Sequence, residues 1–184
     1  MALFNVAGIL GDGKSTAGPE RSIAKIQRTW LEKTMNVNFI GPLLLTQAIV
    51  PLMRRNSTTP KNNKTFPMQS ISFYPSIVVS VSARVGSISD NNLGGWISYR
   101  CSKAALNQAS RTMAHELKRQ GIIVATFHPG TTDTDLSKPF QGNVAEGKLF
   151  PVEFTVERLL AVAENLDISH SGGFYDWSGK ALPF

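Results

Sequence analysis

The stretch Ser76–Val81, which reads SIVVSV, decides the fold class of this 184-residue chain. It is rich in β-branched residues and is bounded by turn formers, which predicts a strand buried on both faces. Residues 122–127 (IIVATF) have the same character and are closed by His128-Pro129-Gly130. Strands that are apolar on both faces are typical of parallel sheets covered by helices.

Helical patterns flank these two strands. Apolar residues recur at helical spacing over residues 23–53, where Pro19 and Gly41 are expected break points, so that one short and one long helix are predicted. A second stripe covers residues 104–117 and a third covers residues 151–166. Gly121 follows the second stripe as the expected helix stop.

Two shorter strands complete the predicted α/β domain, at residues 2–6 and 172–177. Strands that alternate with helices of this length predict a single domain over residues 1–184, a Rossmann-like parallel sheet with helices on both faces. Residues 55–74 are polar and contain prolines, and they are longer than most connections within a domain, so we expect a surface loop insertion there.

The composition is that of a folded domain. The chain is 42% hydrophobic and 17% charged, which excludes a disordered or coiled-coil protein. Its net charge of +6 comes from basic residues spread along the chain, so no nucleic-acid partner is expected. A single cysteine, Cys101, cannot form an internal disulfide, which favours a reducing, cytoplasmic location. His115 and His170 have no partners at metal-ligand spacing, so no metal site is expected.

The longest apolar stretch covers residues 39–53. Thr46 and Gln47 interrupt it, and it carries two prolines. It is shorter than the roughly 20 residues that a membrane span requires. We therefore expect a buried helix and no membrane partner.

Residues 8–15 (GILGDGKS) satisfy the phosphate-binding pattern G-x-x-x-x-G-K-[ST] after a predicted strand. The pattern requires a helix that opens at its lysine and serine, and Gly18-Pro19 interrupts that turn. Neither of the two apolar strands ends in the aspartate that would organise magnesium. A nucleotide-binding P-loop remains an alternative to a glycine-rich loop with a chance lysine.

A phenol and an ammonium group stand four residues apart in YRCSK, from Tyr99 to Lys103. This spacing places both side chains on one face of a helix, near enough for the positive charge to favour the phenolate. The pKa of the phenol, ordinarily about 10, would then approach neutrality, where the group exchanges a proton with a carbonyl or alcohol oxygen. Most pairs with this spacing are surface neighbours, so the surrounding motifs decide the prediction.

Five motifs supply that context, and their order and spacing resemble the short-chain dehydrogenase/reductase family. They are NVAG at residues 5–8, NFIG at residues 38–41, SIVVSVSARVG at residues 76–86, the pair Tyr99 and Lys103, and Pro129-Gly130 followed by Thr131, Thr132 and Thr134. The fuller stretch SARVGSISDNNLGGW and the ending GGFYDWSGKALPF resemble the subgroup of C-factor-like and sniffer-like carbonyl reductases.

The resemblance implies an oxidoreductase that transfers hydride between a nicotinamide cofactor, NADP or NAD, and a small-molecule carbonyl or alcohol substrate. It implies that Tyr99 is the general acid/base and that Lys103 lowers the pKa of Tyr99 and binds the nicotinamide ribose. Asn38 would anchor a relay water. The residues implied to contact the cofactor are Asn5, Ala7, Gly8, Tyr99, Lys103, Pro129, Gly130, Thr131, Thr132 and Thr134.

The family also uses a serine to orient the substrate carbonyl. Its register falls on Ala83 in this chain, so Ser82 is the candidate and Ser87 the alternative. Helices over residues 34–53 and 99–119 commonly form a dimer interface in this family, which implies a homo-oligomer.

The front of the family pattern has no counterpart here. The glycine-rich opening turn and the first three strands are missing, which implies an N-terminally truncated sheet with an exposed first strand. The alternative to an enzyme is therefore a catalytically inactive truncated chain that acts as an interaction partner.

Overall fold

The computed structural model of the protein describes residues 1–12, 18–53 and 75–184. Its main sheet is parallel, and Val78 pairs with Leu3 on one side and with Val124 on the other. The predicted parallel sheet is confirmed, and its central strand has the predicted bounds. The strands are β1 (Ala2–Asn5), β2 (Ser76–Val81), β3 (Ile122–His128), β4 (Thr131–Thr132), β5 (Leu149–Phe150) and β6 (Phe174–Asp176), with the main sheet ordered β1-β2-β3-β6.

The helices are α1 (Arg28–Met35), α2 (Gly41–Met53), α3 (Ile97–Leu117) and α4 (Val152–Glu164). A π-helical turn over Asn36–Ile40 joins α1 to α2 into one continuous run. Gly41 was expected to break the helix and does not, because it adopts helical dihedral angles (φ −56°, ψ −56°). A glycine inside a helix costs only about 1 kcal/mol, which packing against the sheet offsets.

Helices cover both faces of the sheet, as predicted. Alternate residues of each strand point to opposite faces. The side chains of Val78 and Val124 pack with Val50 of α2 and Leu117 of α3. The intervening residues of β2 and β3 pack with Val162 of α4; these are Ile77, Val79, Ile123, Ala125 and Phe127.

The apolar stretch over residues 39–53 is not the fully buried helix that was expected. Its inward face is buried at Thr46, Val50 and Met53, where α2 contacts β1, β2 and α3. Among the described residues, one helical run, Arg28–Met53, is long and apolar enough to cross a membrane, and 22% of its apolar window is buried. The outward face exposes large apolar side chains: Ile40, Leu44, Leu45 and Leu52.

The first strand lies at the edge of the sheet. In the described part of the chain β1 pairs with β2 alone, so its other edge carries no strand there. The expected surface insertion over residues 55–74 falls outside the described residues. Every strand of the main sheet runs in the same direction, so the carboxyl ends of β1, β2 and β3 meet at one edge, where α3 begins.

Candidate active site

The predicted pair lies on one face of α3. Tyr99 and Lys103 are 8% and 3% exposed, and the Lys103 Nζ lies 5.7 Å from the centroid of the Tyr99 ring. Nζ donates a hydrogen bond of 2.9 Å to the carbonyl oxygen of Val81, the last residue of β2. The structure therefore brings the pair together at the carboxyl ends of the parallel strands.

Two glycines make room for Lys103. A Cβ atom at Gly86 would lie 2.7 Å from the Lys103 Cβ and 3.0 Å from its carbonyl carbon, so α3 can approach this turn only because residue 86 has no side chain. A Cβ atom at Gly8 would lie 3.4 Å from Nζ. Gly8, after β1, therefore lies directly against the ammonium group.

Burial controls the acid strength of both groups. It raises the pKa of Tyr99 to about 12 and lowers the pKa of Lys103 to about 8, because a buried site disfavours the charged form of each. The expectation that Lys103 draws the pKa of the phenol towards neutrality is wrong for this structure, since desolvation is the dominant influence on Tyr99. The phenol is therefore protonated at neutral pH.

We expect the free energy of unfolding to depend on pH because the Lys103 ammonium is buried. Its pKa is lower in the folded chain than in the unfolded chain, so the unfolded chain binds more protons between pH 8 and 10.5 and stability rises with pH in that window. Between pH 7 and 9.5 the free energy of unfolding should rise by about 2 kcal/mol more in wild type than in Lys103→Met. Urea unfolding at several pH values measures this difference.

The matched control is Lys33→Met, which removes an exposed ammonium from α1. It should retain the wild-type slope. The raised pKa of Tyr99 makes the stability of the protein fall with pH, but only above pH 10. It therefore does not affect the comparison between pH 7 and 9.5. Parallel wild-type and Lys103→Met curves would contradict a desolvated lysine.

Asn38 lies in the π-helical turn and joins the loop after β1 to α3. Its Oδ1 accepts a hydrogen bond of 2.8 Å from the Ile9 amide, and its Nδ2 donates to the Ile9 carbonyl at 2.9 Å and to the Ser102 Oγ at 3.0 Å. The Ser102 hydroxyl in turn donates to the carbonyl oxygen of Tyr99 at 2.8 Å. Ser102 and the backbone of Ile9 were not among the predicted site residues, and the anchoring of a relay water by Asn38 stays a prediction.

The two candidate serines are both buried and both engaged elsewhere. The Ser82 hydroxyl donates to the Asn107 Oδ1 at 2.6 Å. The Ser87 Oγ accepts a hydrogen bond of 3.1 Å from the amide of Asp90. Ala83, which lies next to Ser82 in the sequence, packs in the apolar cluster with Tyr99.

Of the residues predicted to contact the cofactor after β1, Asn5 has a structural role in this fold. Its Nδ2 donates to the Thr46 Oγ1 at 3.0 Å and to the Ser80 Oγ at 3.3 Å, which ties β1 to α2 and β2. Ala7 is exposed and Gly8 is half-buried. Only Gly8 of these three lies against the Lys103 ammonium.

The predicted nicotinamide-side loop forms a second, two-stranded sheet. Thr131 and Thr132 constitute β4 and pair with β5. Gly130 has a left-handed φ of +77°, and a Cβ atom there would lie 2.6 Å from the ring of Phe150. The close approach that Gly130 permits is therefore made by an aromatic side chain of β5.

The hydroxyls of this loop are partly committed to the fold. The Thr132 Oγ1 lies 2.9 Å from the Thr155 Oγ1, and its carbonyl accepts a hydrogen bond of 2.6 Å from Ser137. Thr134 is exposed and Pro129 is half-buried. Thr131 and Thr134 remain candidates for contact with a ligand, and Thr132 mainly secures the loop to α4.

A cleft of about 950 Å³ opens beside this site. The side chains of Leu10 and Phe140 connect it to Tyr99, because both belong to the apolar cluster around that ring. Residues 8–12 of the stretch that matches the P-loop pattern line the cleft. Lys14 and Ser15 of that stretch lie outside the described residues, whose first α-helix begins at Arg28. The charged lining residues are Asp12, Glu20, Arg21, Lys25 and Asp135.

The chain is similar in sequence and fold to known proteins. The short chain dehydrogenase family matches residues 76–144. The C-signal protein of Myxococcus xanthus is 31% identical over 154 residues, which cover 84% of this chain and 78% of that protein. The NADPH-bound carbonyl reductase from chicken fatty liver has a TM-score of 0.77 and 29% identity, over 99% of this chain and 65% of that chain.

The fold also matches the carbonyl reductase Sniffer of D. melanogaster, with a TM-score of 0.78 and 24% identity over 100% of this chain and 66% of that chain. The chain thus spans about two thirds of the length of these solved structures. The similarity to C-signal agrees with two structural findings, which are the parallel sheet and the pairing of Tyr99 with Lys103. The chain belongs to the short-chain dehydrogenase/reductase family.

Proposed function

We propose that the protein is an NADP(H)- or NAD(H)-dependent reductase of small carbonyl compounds in which Tyr99 donates the proton. The observation that carries this proposal is the buried pair of Tyr99 and Lys103 at the carboxyl ends of β1, β2 and β3. In open α/β sheets, ligands bind outside the carboxyl ends of the strands. The NADPH-bound chicken carbonyl reductase, which has the same fold, supports the choice of cofactor.

The residues present fit the nicotinamide end of such a cofactor. The Lys103 ammonium has three N–H donors, of which one is directed to Val81. Gly8 places no side chain beside Nζ, so sugar hydroxyls could accept hydrogen bonds from the remaining N–H groups. Thr131 and Thr134 are further candidates to bind the cofactor through their hydroxyls.

The proposed reaction separates hydride transfer from proton transfer. A bound nicotinamide cofactor supplies the hydride, which no side chain can provide. The Tyr99 phenol, which is protonated at neutral pH, donates its proton to the substrate oxygen. Lys103 places a positive charge 5.7 Å from the ring, which stabilises the phenolate left after transfer.

The substrate enters through the cleft beside Leu10 and Phe140 in this proposal. These side chains and Ala83 form an apolar wall around Tyr99, which suits a compound whose carbonyl carries apolar substituents. Such a wall also keeps water from the phenol, consistent with its raised pKa.

Ser82 is proposed to orient the substrate carbonyl after its hydroxyl leaves Asn107. A lower kcat in Ser82→Ala, with Ser87→Ala unchanged, would support this assignment. The exposed apolar face of α2 supports a homo-oligomer, which light scattering can measure. A cytoplasmic location is part of the same proposal and follows from the single cysteine.

Cofactor titration tests the proposed function directly. Purified protein titrated with NADPH and with NADH should show saturable binding of at least one, followed by oxidation of that cofactor on addition of aldehydes and ketones. Lys103→Met should weaken binding at least tenfold, whereas Lys33→Met, which removes an exposed lysine, should not. Absence of saturable binding of either cofactor to wild type would contradict the proposal and favour an inactive interaction partner.

A further inference from the structure

A buried carboxylate outside the predicted site holds the helix that carries Tyr99. Glu20 is 4% exposed and lies 78 residues before its partner Ser98 in the sequence. Its Oε2 accepts a hydrogen bond of 3.2 Å from the Ser98 amide, and its Oε1 accepts the Ser98 hydroxyl. Ser98 immediately precedes Tyr99 and is fully buried.

The first turn of α3 needs such a partner. Trp96, the residue before the helix, has left-handed dihedral angles (φ 53°, ψ 42°) and its side chain makes no capping hydrogen bond. The amides of a first helical turn have no acceptors within the helix, and a negative charge is favourable at this end. Glu20 supplies both, and its backbone carbonyl also accepts the Trp96 amide.

The loop that carries Glu20 is itself fixed. Gly18 has a φ of +49°, and a Cβ atom there would lie 2.1 Å from the Trp30 Nε1, so the backbone rests directly on the buried indole of α1. Glu20 also lines the cleft beside the active site. The short segment from Gly18 to Glu20 thus contacts α1 through Gly18, and through Glu20 it lines the cleft and holds the start of α3.

A second attachment holds the same turn of α3. Asn38 bonds to Ser102, whose hydroxyl bonds to the Tyr99 carbonyl. The backbone of Tyr99 therefore lies between two tethers, one at residue 98 and one at residue 102. Loss of either tether would leave the phenol free to shift relative to Lys103 and the strand ends.

We propose that Glu20 is a positioning residue for Tyr99: its carboxylate caps α3 and holds the phenol in place relative to Lys103. This inference deepens the proposed reductase function and rests on it for its kinetic consequence. Its structural consequence can be measured without any activity. A shift of about 1 Å in a reacting group is enough to slow catalysis substantially.

The experiment compares Glu20→Ala with Glu20→Gln in protein labelled with 3-fluorotyrosine. The fluorine signal of Tyr99 is assigned by its loss in Tyr99→Phe. In Glu20→Ala we expect this signal to move towards the position of a solvent-exposed tyrosine and the Ser98 amide to exchange at least tenfold faster. Glu20→Gln retains one carbonyl acceptor and should restore most of both properties.

Kinetics provide the second readout. Glu20→Ala should lower kcat at least tenfold and change KM for the carbonyl compound by less than twofold, because the lesion is in the position of the proton donor. The matched control is Glu32→Ala, which removes an exposed carboxylate from α1 and should leave kcat, the Tyr99 signal and Ser98 exchange unchanged. Ser98→Ala, which deletes only the hydroxyl, should produce a smaller change in the same direction and serves if Glu20→Ala fails to fold.

The outcomes separate this inference from the proposed function. An inactive wild type would refute the reductase, and the fluorine signal and amide exchange would still decide the role of Glu20. A Tyr99 signal and Ser98 exchange that are unchanged in Glu20→Ala would overturn the positioning role. So would an active wild type whose kcat survives the Glu20→Ala substitution.

Discussion

Tyr99→Phe is expected to lose carbonyl reduction by about 10²- to 10⁴-fold while it binds NADPH as tightly as wild type. The substitution removes one oxygen, and with it the proton that the phenol delivers to the substrate; general acid catalysis contributes a rate factor of this size. The ring of Tyr99 remains to pack against Leu10 and Ala83, so the fold should persist. Steady-state turnover and fluorescence titration with NADPH measure the two quantities.

The control for this prediction is Tyr175→Phe. Tyr175 lies on β6, is half-buried, and donates a hydrogen bond of 3.1 Å to the His170 carbonyl. The Tyr175→Phe substitution removes the same phenolic oxygen at a position outside the active site, so turnover should stay near the wild-type value. Wild-type turnover in Tyr99→Phe would show that another group donates the proton.

Gly86→Ala is expected to destabilise the fold by about 1–3 kcal/mol and to reduce activity further than the loss of folded protein explains. The added Cβ would meet the Lys103 Cβ at 2.7 Å and the Ala104 amide nitrogen at 3.2 Å. These atoms belong to the body of α3 and cannot swing aside as the end of a flexible side chain can. The helix must therefore move outward, and it carries Lys103 away from Val81.

Urea unfolding measures the stability change, and cofactor titration of the folded variant measures the displacement of Lys103. The matched control is Gly142→Ala, because a Cβ atom at Gly142 meets nothing within 4 Å. It should unfold at the wild-type urea concentration. A Gly86→Ala variant with wild-type stability and NADPH affinity would mean that α3 does not depend on this close approach.

The strands and the catalytic pair could be predicted because each depends on local pattern. The run Ser76–Val81 is rich in β-branched residues and bounded by turn formers, which is typical of a central strand of a parallel sheet. The four-residue spacing of Tyr99 and Lys103 places them on one face of any helix, whatever its surroundings. The order of the motifs along the chain indicates the family from the sequence alone.

Predictions that depended on the tertiary environment of a residue were less accurate. The expected lowering of the pKa of Tyr99 considered the charge of Lys103 and could not include the desolvation of the ring, which is the larger influence. Gly41 looked like a helix break, yet the helix continues through it. The segment over residues 39–53 was expected to be buried because it is apolar, but one face of it is exposed.

Glu20 could not have been found by reading along the chain. It lies in a loop of unremarkable composition, and its partner is 78 residues away. Periodicity and motif spacing report interactions between residues that are close in sequence, and so they were sufficient for the sheet, the helices and the Tyr99–Lys103 pair. Contacts between distant segments determine which acid caps which helix and how far the phenol is removed from water. They also determine whether Ala83 or Ser82 lies beside the phenol. Only the assembled chain makes these contacts.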